Sequence, residues 1–502
     1  MNKKFSANLF CVVSILLFTF PGCGGGGGGS DPAVPQSPQP STSAPTTQPS
    51  TQAVNIASLD ELSVPSLRAR SYTSSLSVEE SIQSQCTADG NPPPDGLEYD
   101  SYMLAYSSDG LNVFTRMDIP AAPAASGGYP VVIFAHGYVG LSQASQYGFS
   151  CGPGSMYTRY IDAMAQAGFV VLTPGFRGHG TVNGTVADGR EFLEAWDNGS
   201  YISPSFYAID VLNLLAALPA DQGLSVTSAD GTSSRMIQTD STRVFLAGHS
   251  QGGDAILTVL AAVGEGAASG LSVSGASIWS GTFPDRFTQL RSYHAMATSP
   301  EAFLSGDGTW TGSAESSDGQ VNTNFVFGYP PEWIENPDPP AWTWQSDTWY
   351  SNSVKAAVVV KLDQMYSAIN DNVDDISDAS YQINDLADGS FEVTHDLLIE
   401  SGLAEIGGYG PNQWMYITEL LNLHFSNRDY YSWPVWNETL CDEAARNGSD
   451  CHSFLYGGNT HSLGISDRVW FSGPSDVAGY DYMIERDIDL FSGDDPNLVP
   501  YP

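Results

Sequence analysis

The stretch Ser241-Thr-Arg-Val-Phe-Leu-Ala-Gly-His-Ser250-Gln-Gly-Gly253 decides the fold. Its apolar run, Val244 to Ala247, ends in Gly-His-Ser-Gln-Gly, and a helix-like run, Ala255 to Ala262, follows. G-x-S-x-G between a strand and a helix is the setting in which the motif forms a nucleophile elbow. Such a turn is tight, so Gly248 and Gly252 are expected where almost no side chain fits. Ser250 is then held out above a sheet edge, on the end of a helix.

Working outward, the flanking sequence alternates strands and helices. Tyr102 to Ser108 and Leu111 to Met117 form a hairpin across Asp109-Gly110, a dipeptide suited to two-residue turns. Pro130 to Ala135 and Gly168 to Thr173 read as buried strands, with a helix over 156–166 between them. The spacing predicts a further helix over 207–218 and a strand over 275–280. Near-continuous apolar strands alternating with helices indicate a mostly parallel sheet covered on both faces, an α/β fold. After residue 283 the alternation stops. The segment 284–418 carries Trp310, Trp333, Trp342, Trp344, Trp349 and Trp414, with a helical patch over 353–369. It reads as a cap inserted above the sheet. The acidic run 370–378 lacks the spacing of a calcium loop, so a solvated acidic loop is expected there. The sheet resumes with a strand over 421–426, a helix over 437–446 and a last strand over 451–456.

The core is thus expected in two parts, 56–283 and 419–502, on either side of the cap. Ahead of it, residues 23–55 are rich in Gly, Pro, Ser and Thr and read as a flexible tether. Residues 1–22 have the form of an export signal. Lys3 and Lys4 precede an apolar stretch, Leu9 to Phe20, too short to span a bilayer. The Phe20-Pro-Gly-Cys23 ending resembles a bacterial lipoprotein signal, although Phe20 stands where leucine is usual. That resemblance implies an acylated Cys23 and an outer-membrane or cell-surface location; plain secretion is the alternative.

The 502 residues carry a net charge of −38. Such a surface repels phosphate backbones, so nucleic acid is not an expected partner. A membrane is expected only through a lipid at Cys23. Of six cysteines, Cys86, Cys151, Cys441 and Cys451 lie beyond the signal and Cys23. An even number in an exported chain suggests two disulfides. Proximity in sequence favours Cys441 with Cys451, leaving Cys86 with Cys151. No C-x-x-C pair or close histidine cluster points to a metal, and no cofactor is implied.

A serine hydroxyl becomes a nucleophile when a neighbouring base takes its proton and a third group holds that base in one tautomer. After Ser250 the sequence offers Asp429 behind a late strand, with Asp285 as rival, and His461 in a Gly-rich loop behind the last strand. The eight histidines leave His461 as the expected base. His452 falls inside a strand, and His294, His395 and His424 fall in the cap or in strands. Asp254, four residues after Ser250, is too close to orient that base. The negative charge developing in acyl transfer needs hydrogen-bond donors: the N–H of Gln251, and that of Tyr138 after the Phe134-Ala-His-Gly strand end. Arg177-Gly-His-Gly180 is expected to shape a turn beside the site.

The stretches Val131–Tyr138, Gly168–Gly180, Val244–Gly253, Leu421–Pro434 and Phe454–Leu463 together resemble the α/β-hydrolase superfamily. Phe169 to Gly180, with the hairpin before it, is similar to the dienelactone hydrolase and prolyl oligopeptidase-like branches, although Gly175 stands where those often have an acid. His136-Gly-Tyr with Gly248-His-Ser-Gln-Gly252 also resembles secreted lipases, cutinases and polyester hydrolases, which usually lack so large a cap. The resemblance implies hydrolysis through an acyl-enzyme on Ser250 without a metal. An apolar or aromatic ester is the expected substrate. A prolyl oligopeptidase-like peptidase is the first alternative, although the residues before 97 leave no room for its propeller. A non-enzymatic surface binder is the second.

Overall fold

The computed structural model describes residues 54–82, 99–281, 343–344, 352–385, 391–396, 402–426, 432–457, 461–463 and 479–501, with short breaks at 152–154, 156, 197–201, 220–222, 228–230, 377, 404, 409–410 and 433. Among these residues nine strands form one sheet. They are β1 (Ser77–Ile82), β2 (Tyr99–Ser108), β3 (Leu111–Pro120), β4 (Tyr129–Ala135), β5 (Val170–Pro174), β6 (Thr239–His249), β7 (Gly275–Trp279), β8 (Leu420–Phe425) and β9 (Cys451–Leu455). The spatial order is β1-β2-β3-β5-β4-β6-β7-β8-β9. From β5 to β9 every neighbouring pair is parallel, and β1, β2 and β3 pair antiparallel at one edge.

The β2–β3 hairpin turns at Asp109 and Gly110, both at positive φ (50° and 85°). That is the two-residue geometry whose twist matches the flanking strands.

Side-chain alternation divides the core between the sheet's two faces. On β4 and β6, Val131, Ile133, Ala135, Val244 and Leu246 join one buried cluster, while Val132, Phe134, Phe245 and Ala247 join another. The first face is covered by helices Ser203–Ala216 and Gln251–Ala262, the second by helices Thr158–Gln166 and Gly479–Ser492. In chain order these four are α1 (Thr158–Gln166), α2 (Ser203–Ala216), α3 (Gln251–Ala262) and, after two helices named below, α6 (Gly479–Ser492). A near-continuous apolar strand such as β4 is what burial on both faces demands.

Between β7 and β8, α4 spans Asn352–Asn372, and a small antiparallel sheet joins Thr343–Trp344, Phe391–His395 and Tyr381–Asp385. The described parts of this segment join the first face's core through Leu362, Met365, Ile369, Leu403, Ile406 and Trp414. Residue 408 packs on α3: a Cβ at Gly408 would lie 2.4 Å from the Leu257 carbonyl oxygen, and its N–H donates to Thr258 Oγ1 at 3.0 Å. Of the expected cap tryptophans, Trp414 is wholly buried, donating from Nε1 to the Gly408 carbonyl. Trp310, Trp333, Trp342 and Trp349 lie outside the described residues. The acidic run 370–378 closes α4, where Asn370 bonds both the N–H and the carbonyl of Ala379. Among the described residues no group of three or more His, Cys, Asp or Glu is placed to hold a metal.

After β8, α5 (Pro434–Arg446) leads to β9, and Cys441 is joined to Cys451 as expected. Cys151 is also disulfide-bonded, whereas Cys86 lies outside the described residues.

Helix α6 is fastened by a buried polar knot. Asp487 accepts from Tyr160 Oη (2.9 Å), Asn422 Nδ2 (3.0 Å) and His424 Nε2 (2.9 Å), and it is fully buried with His424. A buried carboxylate persists only when so many donors replace its water.

Candidate active site

Parallel register brings the loops of interest to one edge. His249 of β6 pairs with Trp279 of β7, Trp279 with His424 of β8, and His424 with Phe454 of β9. Ser250 follows that row by one residue, and His461 leaves the same edge beyond β9.

Ser250 has φ 54° and ψ −125°, a backbone state that side chains rarely adopt. The surroundings impose it. Ser250 N–H donates to the Trp279 carbonyl at 3.1 Å, and the Ser250 carbonyl accepts from Asp254 N–H at 3.1 Å to open α3. The glycines behave as the motif requires. A Cβ at Gly252 would lie 2.3 Å from the Ala135 carbonyl oxygen and 2.4 Å from that of His136. One at Gly248 would lie 2.7 Å from the Gly252 carbonyl oxygen. Backbone meets backbone at both, so only glycine fits. Gln251, as the first residue of α3, presents its N–H ahead of the first intrahelical bond and at the positive end of the helix dipole.

The loop after β4 approaches the serine from the other side. A Cβ at Gly137 would lie 3.3 Å from Ser250 Cβ. Gly137 N–H is already committed to Tyr157 Oη at 3.0 Å. The next N–H along the loop is that of Tyr138, whose side chain is 54% exposed.

His461 is buried, and its ring centroid lies 4.8 Å from that of His249, the residue before the serine. The His461 carbonyl oxygen stands 3.0 Å from His249 Nε2, and Leu463, two residues on, accepts from Tyr480 N–H of α6 at 3.1 Å. The 461–463 segment is therefore held against both the elbow and α6. Asp429 and Asp285 both lie outside the described residues. The structure thus sets Gln251 and the 137–138 loop beside Ser250, and His461 against His249, the residue before the serine. It describes Phe425, where β8 ends, but not the aspartate that follows.

Next to this loop, His136 and His179 meet edge to face, ring centroids 5.3 Å apart, and both are buried. Burial, and for His136 also the neighbouring His179, pushes them down to about 3 and about 4, so both are neutral rings. Arg177 forms a buried pair with Asp210, Nη2 to Oδ1 at 2.7 Å, while its own N–H reaches Oδ2 at 2.9 Å. Ser108 Oγ completes the carboxylate's partners at 2.5 Å. This pins the 175–180 turn expected at the rim.

Two residues of the site escaped the motif: Tyr157, which carries no sequence signal, and His249, the variable position of G-x-S-x-G. Burial drives the His249 ring well below its usual range and lifts the Tyr157 phenol above its own. Both are neutral.

The model of the alpha/beta hydrolase family matches residues 132–384, just over half of the chain. The chain belongs to that family, as its sheet, its helix layers and its elbow all require. Solved structures are similar at low identity. An acylaminoacyl peptidase from Pyrococcus horikoshii is 14% identical with a TM-score of 0.42, over 78% of this chain and 42% of its own. A puromycin hydrolase is 12% identical with a TM-score of 0.39, over 80% and 40%. Carboxyl esterase 2 from the mycorrhizal fungus Tuber melanosporum is 12% identical with a TM-score of 0.37, over 80% and 88%. The chain spans about two fifths of the length of the first structures it matches. No protein of curated function matches its sequence.

Proposed function

We propose that this protein is an exported serine hydrolase that cleaves carboxylic esters of apolar or aromatic character. The observation that carries this reading is Ser250, held at positive φ on an elbow between β6 and α3, with the His461 loop bonded to the residue beside it. Ser250 Oγ attacks the ester carbonyl while His461 takes its proton. The resulting oxyanion is held by the N–H groups of Gln251 and Tyr138, a contribution of about 3–4 kcal/mol for each well-placed donor. Collapse expels the alcohol, which receives the proton from His461, and water then releases the acid by the same steps. Asp429, in the loop beyond β8, is assigned to orient His461 and stabilise its charged form.

An ester asks less of this machinery than an amide, because its alkoxide leaves more readily than an amine. The exposed Tyr138 ring beside the donor loop supports an apolar acyl or aryl group. The disulfides at Cys441–Cys451 and Cys151 support an oxidising compartment. There the 23–55 tether would join the domain to a lipid on Cys23.

The test is hydrolysis of p-nitrophenyl esters from acetate to palmitate by the wild type and by Ser250→Ala. The wild type should turn over, and Ser250→Ala should fall by at least about 10⁴-fold, the scale on which lost nucleophiles are felt. A folded wild type active on peptides but on no ester would move the reading to the peptidase class.

A further inference from the structure

His249 is bonded on both ring nitrogens. Tyr157 Oη lies 2.8 Å from Nδ1 and the His461 carbonyl oxygen 3.0 Å from Nε2. Tyr157 Oη in turn accepts from Gly137 N–H at 3.0 Å. One proton arrangement satisfies all three. A carbonyl oxygen only accepts, so Nε2 carries the hydrogen. A neutral ring then leaves Nδ1 bare, and the phenol must donate to it. The direction runs unbroken: Gly137 N–H to Tyr157, Tyr157 O–H to His249, His249 N–H to the His461 backbone.

The two ends of this chain belong to different parts of the reaction. Gly137 precedes Tyr138, whose N–H is assigned to the oxyanion. His461 is the assigned base. Between them the chain runs through His249, the residue before Ser250. The rings that carry it are packed: Tyr157 lies 5.0 Å from Phe134 and 5.7 Å from Trp279, and His249 lies 4.5 Å from Trp279, centroid to centroid.

We propose that Tyr157 and His249 are positioning residues that lock the oxyanion loop and the base loop into register about Ser250. This inference rests on the serine-hydrolase reading. By taking the Gly137 N–H, Tyr157 fixes the 137–138 segment so that the following N–H faces the reacting carbonyl. By donating to the His461 carbonyl, His249 fixes the backbone that carries the base. Neither touches the substrate. Their contribution arises in the transition state, where charge sits between the two loops, and so falls on kcat more than on KM.

The experiment compares wild type, Tyr157→Phe, His249→Gln and the double variant. Steady-state ester hydrolysis is measured alongside the rate of Ser250 labelling by a fluorophosphonate probe, which also needs the base and the oxyanion donors. Tyr157→Phe keeps the ring and removes only the hydroxyl. His249→Gln keeps a donor near Nε2 and removes the acceptor at Nδ1. Loosening a donor should cost somewhat less than the roughly 10²–10³-fold of deleting one, so each single variant should lose about 10–100-fold in kcat and in labelling rate, with KM nearly unchanged. Because both break one chain, the double variant should be no worse than the weaker single by more than about 3-fold, rather than showing the product of the two losses. Thermal melting screens for misfolding, and Tyr157→Phe alone carries the test if His249→Gln fails to fold.

The outcomes separate. A folded wild type that neither labels at Ser250 nor hydrolyses any ester overturns the serine reading, and this inference with it. A wild type that labels and turns over while folded Tyr157→Phe stays within twofold overturns the link alone. So does a loss confined to KM, or losses that multiply in the double variant.

Discussion

Substituting Gly252 tests the elbow most directly. The Cβ of Gly252→Ala would meet the Ala135 carbonyl oxygen at 2.3 Å, the His136 carbonyl oxygen at 2.4 Å and the Ala135 carbonyl carbon at 2.6 Å. All three are backbone atoms of β4 and its end, so no side chain can swing aside. Ordinary contact begins near 3.4 Å, so α3 and β4 must part by about 1 Å. Overpacking typically costs about 1–3 kcal/mol, and a rigid neighbour puts this case at the upper end. Melting should fall by about 2–3 °C in a domain of this size. The catalytic effect is larger, because the same 1 Å separates Ser250 and the Gln251 N–H from the Tyr138 loop, and misplacement on that scale costs about 100-fold. The assay is kcat on the best p-nitrophenyl ester beside a melting curve. Gly457→Ala serves as control, since among the described residues nothing lies within 4 Å of its Cβ. A Gly252→Ala protein that melts within a degree of wild type and keeps a tenth of its kcat would refute the close approach of helix and strand.

Three further outcomes follow from buried groups away from the serine. Arg177→Met strands the fully buried Asp210 with too few donors and should cost about 3–5 kcal/mol by denaturant unfolding, whereas pairing it with Asp210→Leu should recover much of that loss; equal stability of the two variants would show the pair to be unimportant. Replacing both Cys441 and Cys451 by serine opens a loop closed over 10 residues and should cost about 2–3 kcal/mol, which matched melting curves would contradict. His136 and His179 have folded values of about 3 and about 4, below their unfolded value. Each therefore binds fewer protons when folded, so its stability is fully present above about pH 6.5 and is lost as pH falls towards those lower values. Between pH 6 and 5 each should add about 1 kcal/mol per unit to the pH dependence, and His179→Gln should flatten the slope by that amount; an unchanged slope would mean that His179 takes up a proton in the folded protein.

The parts of this molecule visible in its sequence are those where one local rule suffices. The elbow was legible because its glycines answer to sterics within a few residues, and β4 because burial on both faces leaves an uninterrupted apolar run. The β2–β3 hairpin followed from Asp109-Gly110 alone. What stayed hidden depends on partners far away in the chain. Helix α6 repeats apolar residues at Tyr480, Met483, Ile484 and Phe491, but the same stripe contains Asp487, which in isolation marks a solvated face. Only Tyr160, Asn422 and His424, brought in from α1 and β8, make that aspartate a core residue. The site shows the same division. Ser250 and the donor of Gln251 come from one contiguous motif. Tyr157, by contrast, reaches His249 across 92 residues, and His249 reaches His461 across 212. The hydroxyl that takes Gly137 N–H has no local pattern to announce it. The position between Gly248 and Ser250 is the one that the motif leaves free, since any side chain there satisfies the turn. In this protein the residue at that position is a histidine bonded at both ring nitrogens, to Tyr157 on one side and to the His461 backbone on the other.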